Sequence, residues 1–558
     1  MVNSLIKAKP QWISEAYKAI GGQDHLGLGS VSSDQILENL SPGLIALTPH
    51  PRYCSFYTFL LDEFWNRNLN RNQSTWIKFF RPRAFIFSLG AHFCSNPEHN
   101  NLQKIMGSRT TGKLSRQNKE SYNTDFDYIK NKLGGYGLYY GPLIRKLGWV
   151  VPSGQPPLPP VDAPTPEGKR VSELFRKTIE DTEYYKSYFD TDIIDIPRNV
   201  IEDYIKKACL CQLQKKNSIE RNYSLYHFIE NHDDLNAISR RKTFMFFLDL
   251  INKIQNTAIT DDIFRQIIYF KTTINSNEYE PDPGVRDNYY KWRLYQAREY
   301  YGFALNSMWF YLCNWGSKKS NFIPIEVEEF WTHISKELNL KNFSNLSNTP
   351  VSSLKHNSKF ADLLNWIKNL NSISKNFDAE CNINDPINEY KLYNLVKSNN
   401  ESLEFTVFGT LIILSLIYLR FEIIPPELKD LWFISKMGGR ERLSLDYFIK
   451  SLKKKLNNKD ITIIEVIKWI FLEFVIEQHI KIASNKLPQN TFRFIKEGNK
   501  IVFFDIENSD TDFNTSRFEA ISTTIHELGL CSNFNETQHN LTHDGLTIVN
   551  GDLPKWNI

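Results

Sequence analysis

The sequence predicts a mainly α-helical, multidomain protein that closes in a small α/β module. Three observations predict it. Apolar residues recur at helical spacing along most of the 558 residues, whereas alternating strand patterns are scarce. A proline-rich stretch interrupts the helical pattern after Trp149, and only the part from Ile461 onward combines helix and hairpin signals. Hydrophobic residues make up 41% of the chain and aromatic residues 14%, enough apolar surface to offset the ordering entropy along most of its length. A chain several times the length of an ordinary domain is expected to bury at least two cores.

Residues 1–150 are expected to form an N-terminal helical domain. Within it, Pro51–Asn66 (PRYCSFYTFLLDEFWN) has apolar residues at helical spacing, and Pro49 and Pro51 suit its first turn. Residues 151–170 (VPSGQPPLPPVDAPTPEGKR) read as a Pro-rich linker, because closely spaced prolines hold the chain extended and remove amide donors. Residues 171–460 read as a helical body with amphipathic helices over Glu173–Lys186, Arg198–Lys215, Arg240–Thr257, Asp287–Trp315, Glu326–Leu338 and Lys359–Leu370. The Asp287–Trp315 segment interleaves Lys291, Arg293 and Arg298 with many aromatic rings, a composition that can stack on single-stranded nucleic acid. Rings at helical spacing pack inward, so this segment is read as core. Phe405–Leu419 is the most apolar run; it is shorter than the roughly 20 residues that cross a bilayer as a helix, and a buried core helix is expected.

Residues 461–558 form the expected C-terminal module. A helix over Ile461–Ile480 precedes a hairpin of Thr491–Lys496 and Lys500–Ile506 about Glu497-Gly498-Asn499. Asn514 or Thr515 can cap a helix over Ser516–Leu528 that stops at Gly529. Thr537–Val549 then has strand-like residues about an Asp544-Gly545 turn.

A net charge of +4 is small for this length, so any basic function must be local. The seven cysteines include no CxxC pair and do not read as a secreted disulfide framework. Met1–Gly22 carries no signal peptide pattern, so a cytoplasmic protein without a membrane partner is expected. His92, Cys94 and His99 offer three metal-binding side chains, but no fourth follows at zinc spacing, and neither metal nor cofactor is expected.

Gly107–Lys113 (GSRTTGK) has the glycine and lysine spacing of a phosphate-binding P-loop. Leu114 stands where a magnesium-holding Ser or Thr belongs, and Asn100–Met106 lacks the pattern of a buried strand, so a basic surface loop is the better reading. Lys104, Arg109, Lys113 and Arg116, with Lys119 close by, are then candidate phosphate contacts. No complete hydrolase, metalloprotease or Rossmann signature occurs, and no catalytic residue is expected. The alternative rests on Arg221-Asn222-Tyr223-Ser224-Leu225-Tyr226-His227, which fits the R-N-x4-H pattern and so resembles HEPN-type ribonucleases. That resemblance implies metal-independent RNA cleavage, with Arg221 stabilising phosphate and His227 in acid–base chemistry.

Two further resemblances bear on function. Leu528-Gly529-Leu530, followed after a gap by Leu541-Thr542-His543-Asp544-Gly545, is similar to the end of a winged-helix domain, which implies that Arg517 and the wing residues His539 and His543 approach a DNA backbone. Leu40–Thr48 (LSPGLIALT), continuing through Arg52-Tyr53-Cys54-Ser55-Phe56-Tyr57, resembles the opening of proteins encoded in bacterial antiviral defence islands. It implies a non-catalytic subunit that assembles with a helicase, nuclease or ATPase subunit, with DNA as a further partner and a structural or contact role for Arg52.

Overall fold

The computed structural model describes residues 24–96, 104–191, 194–214, 218–230, 234–275, 277–320, 323–338, 354–371, 381–423, 433–438, 442–487, 491–504 and 511–554. They are mainly helical, with three small sheets among them. The described residues group into two compact units, and neither follows chain order. One comprises residues 38–262, 281–288 and 515–558; the other comprises residues up to 37, 263–280 and 289–514. The boundaries expected at 150, 170 and 460 therefore fall inside these units.

The first unit is built around helix Arg52–Asn66, which is buried without a break from Arg52 to Phe64. It packs against helix Pro166–Ile179, whose start is fixed by the Thr165 side chain accepting the Gly168 amide at 3.1 Å and by Pro166 in the first turn. The proline-rich stretch between them folds back on itself. Val150–Val151 pairs antiparallel with Ala163–Pro164, and buried Asp162 accepts the Ser153 amide at 2.7 Å, Arg145 Nη2 at 2.8 Å and the Tyr136 hydroxyl. The Trp65 indole donates to the Asp162 carbonyl at 2.9 Å. Residues 151–170 are thus a strap fastened within one unit, where a linker between domains was expected.

The C-terminal segment joins this unit because Phe518 and Phe534 pack on Phe247 of helix Leu235–Lys253, at ring-centroid distances of 5.7 and 6.0 Å. Helix Phe518–Glu527 starts at Arg517, which has φ 64 and provides no side-chain cap, in place of the expected Asn514 or Thr515 cap. It stops before Gly529 as expected, with the glycine at φ 73. The expected strands about Asp544-Gly545 are replaced by helix His543–Val549. The physical reason is capping: the Thr542 side chain accepts the Gly545 amide at 3.2 Å, and Asp544 lies in the first turn where a carboxylate complements the helix dipole.

The second unit is organised by helix Arg286–Ser320, of which Tyr289 onward belongs here. Trp292, Tyr295, Tyr300 and Tyr301 are buried, and so are Arg293 and Arg298, which places this aromatic helix in the core as expected. The apolar run around residue 410 forms the turn Glu404–Phe408 and helix Gly409–Phe421. Together they are long and apolar enough to cross a membrane, yet 83% of that window is buried inside the protein. The expected hairpin is present as Phe494–Glu497 and Lys500–Phe503, turning at Gly498 with φ 59, and Ile325–Glu326 adds a third strand beside Lys500–Phe503. This hairpin and helix Phe518–Glu527 belong to different units.

Candidate functional site

The basic cluster near residue 110 forms an ordered surface. Gly107, with φ 78, turns the chain into helix Ser108–Ser115. Thr111 and Leu114 are buried, and the Thr111 hydroxyl is hydrogen-bonded to Ser88 Oγ at 3.1 Å and His92 Nε2 at 3.0 Å. Arg109, Lys113 and Arg116 are exposed. Spacings of four and three residues align these cations on one face. None of the three makes an ion pair or side-chain hydrogen bond with another described residue. Like charges so placed disfavour an isolated helix, so tertiary packing through Thr111 and Leu114 must hold it. Beside this face runs an open groove of about 580 Å³, lined by Arg109, Tyr128, Lys130, Asn131 and Tyr139. The neighbouring carboxylate of Asp127 is engaged by Arg81. A row of unpaired cations beside the half-buried Tyr139 ring can hold a phosphate backbone, while Tyr128 is buried beneath the groove. It is not a P-loop, because residues 108–115 are helical and Lys113 lies in the last turn.

The other basic candidates are placed differently. Lys104 is ion-paired with Glu519 and lines a partly open pocket of about 180 Å³. That cavity also holds a buried pair, His50 Nδ1 to Glu527 Oε1 at 2.7 Å, in which Glu527 Oε2 has no hydrogen-bond partner among the described residues. Such a carboxylate fixes the tautomer and orientation of an imidazole. No local motif announces the pair, whose members are 477 residues apart in sequence. Arg517 is 5% exposed, lies 3.6 Å from Glu38 and donates to the Ser41 carbonyl at 3.4 Å. His543 is exposed at the start of its helix, whereas His539 is buried against the Thr257 carbonyl at 2.8 Å.

Arg221 and His227 lie in separate environments. Arg221 is ion-paired with Asp544 at 2.8 Å and bonded to Asn222 Oδ1 at 3.1 Å, with 11% of its side chain exposed. His227 is buried among Tyr223, Tyr226 and Trp149, with ring centroids 4.6, 5.2 and 5.7 Å away. Burial lowers its pKa from 6.5 to about 4. The folded state therefore favours the neutral ring, while the unfolded chain takes up a proton near 6.5. This contribution is complete above 6.5 and declines as pH falls from 6.5 to about 4, by at most about 1.4 kcal/mol per pH unit. His227→Phe is expected to flatten the loss of urea midpoint across that window; an unchanged pH profile would show that His227 is not held neutral by the fold.

His92 is committed to Thr111, and Cys94 sits instead with Cys209 and Cys211; His99 lies outside the described residues. Comparison with protein families, with curated proteins and with solved structures finds no match for this chain.

Proposed function

We propose that the protein is a non-catalytic subunit of a bacterial antiviral defence complex that contacts nucleic acid through Arg109, Lys113 and Arg116. The observation that carries the contact is the alignment of these three exposed, unpaired cations on one helix face beside a groove containing Tyr128, Lys130 and Tyr139. The likeness of Leu40–Thr48 and Arg52–Tyr57 to defence-island proteins supports the assembly role, with a helicase, nuclease or ATPase subunit as partner and a cytoplasmic setting. The reading assigns no DNA contact to a C-terminal winged-helix module, since Arg517 is buried beside Glu38. It also assigns no chemistry to Arg221 and His227, whose surroundings suit packing.

The test has two arms. A tagged protein recovered from its host is expected to bring down a partner of this class with salt-sensitive nucleic acid. In a binding assay, the triple variant Arg109→Ala, Lys113→Ala, Arg116→Ala should reduce the slope of log affinity against log salt by roughly three. An unchanged slope removes this face from the interface, and recovery of the protein alone removes the assembly role.

A further inference from the structure

Three cysteines far apart in sequence meet in the first unit. Cys94 follows helix Gln73–Ala91, Cys209 is the C-cap of helix Arg198–Ala208, and Cys211 lies in the turn Leu210–Gln214. Their sulfur atoms all lie within 4.8 Å of one another, and Cys94 Sγ is 3.7 Å from Cys211 Sγ. The two helices approach closely at Gly90, where a Cβ would come within 3.1 Å of Ile201 and 3.3 Å of Ile205. That approach brings the end of one helix to the end of the other.

We propose that Cys94, Cys209 and Cys211 form a three-thiolate zinc site whose fourth position opens to solvent on the Cys94 side. Thiolates about 2.3 Å from a tetrahedral zinc ion lie about 3.8 Å from one another, close to the separation of Cys94 and Cys211. A disulfide would require about 2.05 Å, and none of the three cysteines is disulfide-bonded. Polar hydrogens point at the sulfurs: the Asn96 amide N–H at Cys94, Asn96 Nδ2 at Cys211 at 3.4 Å, and Gln212 Nε2 at Cys211 at 3.5 Å. Donors aimed at sulfur favour thiolate over thiol.

On zinc binding three metal–sulfur bonds form, each thiol that still carries a proton releases it to solvent, and no electron changes hands. The Arg52 guanidinium donates to the Cys209 carbonyl at 2.5 Å and so fixes the backbone that carries this sulfur. Cys209 and Cys211 are buried and Cys94 is half-buried, which puts the accessible side of the cluster at Cys94.

The experiment uses the full chain, purified under reducing conditions. Elemental analysis is expected to give one zinc per chain, and cobalt(II) exchanged for it should show sulfur-to-metal charge transfer in a tetrahedral field. Cys94→Ser should lose both signals with its circular dichroism retained, whereas Cys313→Ala, in the other unit, should keep them. The cobalt spectrum of the unaltered chain needs no variant to fold. Absence of thiolate charge transfer overturns the proposal, as does recovery of copper(I) in place of zinc. A Cys94–Cys211 disulfide in protein alkylated without exposure to air also overturns it.

Discussion

Replacing Arg52 by alanine is expected to destabilise the first unit by about 3–5 kcal/mol, because it leaves a carboxylate buried without its partner. Arg52 is 1% exposed and Glu220 is 4% exposed. Two parallel bonds join them, Nε to Oε1 at 3.2 Å and Nη2 to Oε2 at 3.1 Å. The same guanidinium donates to the Lys207 carbonyl at 3.0 Å, the Cys209 carbonyl at 2.5 Å and Thr178 Oγ1 at 3.2 Å. One side chain thereby satisfies carbonyls at the end of helix Arg198–Ala208 and ties it to helices Pro166–Ile179 and Ile219–Leu225. Lysine supplies one point charge and cannot reproduce this fork, so Arg52→Lys should recover little. The double variant Arg52→Met, Glu220→Gln should be appreciably more stable than Arg52→Ala, since it removes the unpaired charge. The checks are urea midpoints of the three variants. A loss below about 1 kcal/mol for Arg52→Ala would mean that Glu220 reaches water in the folded protein.

Arg52 also shows what the sequence reveals and what it conceals. Its helix is legible because the apolar spacing of Tyr53, Phe56, Phe59, Leu60 and Phe64 and the prolines ahead of it are local signals. The aromatic helix around Trp292 and the turn at Gly498 are legible for the same reason. Partners are not local. Lys104 reads as a free cation until Glu519, 415 residues away, is placed beside it. Arg109, Lys113 and Arg116 were legible as a basic group by their proximity in sequence, although the segment reads as a surface loop and is instead a helix, whose spacing aligns them. Cys94 was set beside His92 and His99 by proximity in sequence, whereas its sulfur lies with Cys211, 117 positions on. The Cys209-x-Cys211 spacing was the available hint. Unit membership is equally non-local, since Phe518 and Phe534 give no sequence sign that they pack on Phe247.

Gly545→Ala is expected to cost about 3 kcal/mol, the upper range for forcing an atom into a packed interior. A Cβ at this position would lie 2.0 Å from the Leu530 carbonyl oxygen, and a backbone atom cannot swing aside. The approach is imposed by Thr542, whose amide donates to the Leu530 carbonyl at 3.0 Å. Its hydroxyl reaches the Gly529 carbonyl at 2.9 Å and accepts the Gly545 amide at 3.2 Å. Gly529 turns the chain at φ 73, and an added Cβ there would meet the Arg221 guanidinium at 2.8 Å. Arg221 in turn holds Asp544. Leu530, Thr542, Asp544 and Gly545 of the wing-like stretch and Arg221 of the ribonuclease-like motif thus belong to one packed corner, and a threonine cap is its hinge. Gly284→Ala, in the same unit with nothing within 4 Å of its Cβ, is the control and should change stability by less than about 0.5 kcal/mol. Thermal unfolding of the two variants separates the outcomes. If Gly545→Ala is as stable as the control, Leu530 and Thr542 do not clamp this corner.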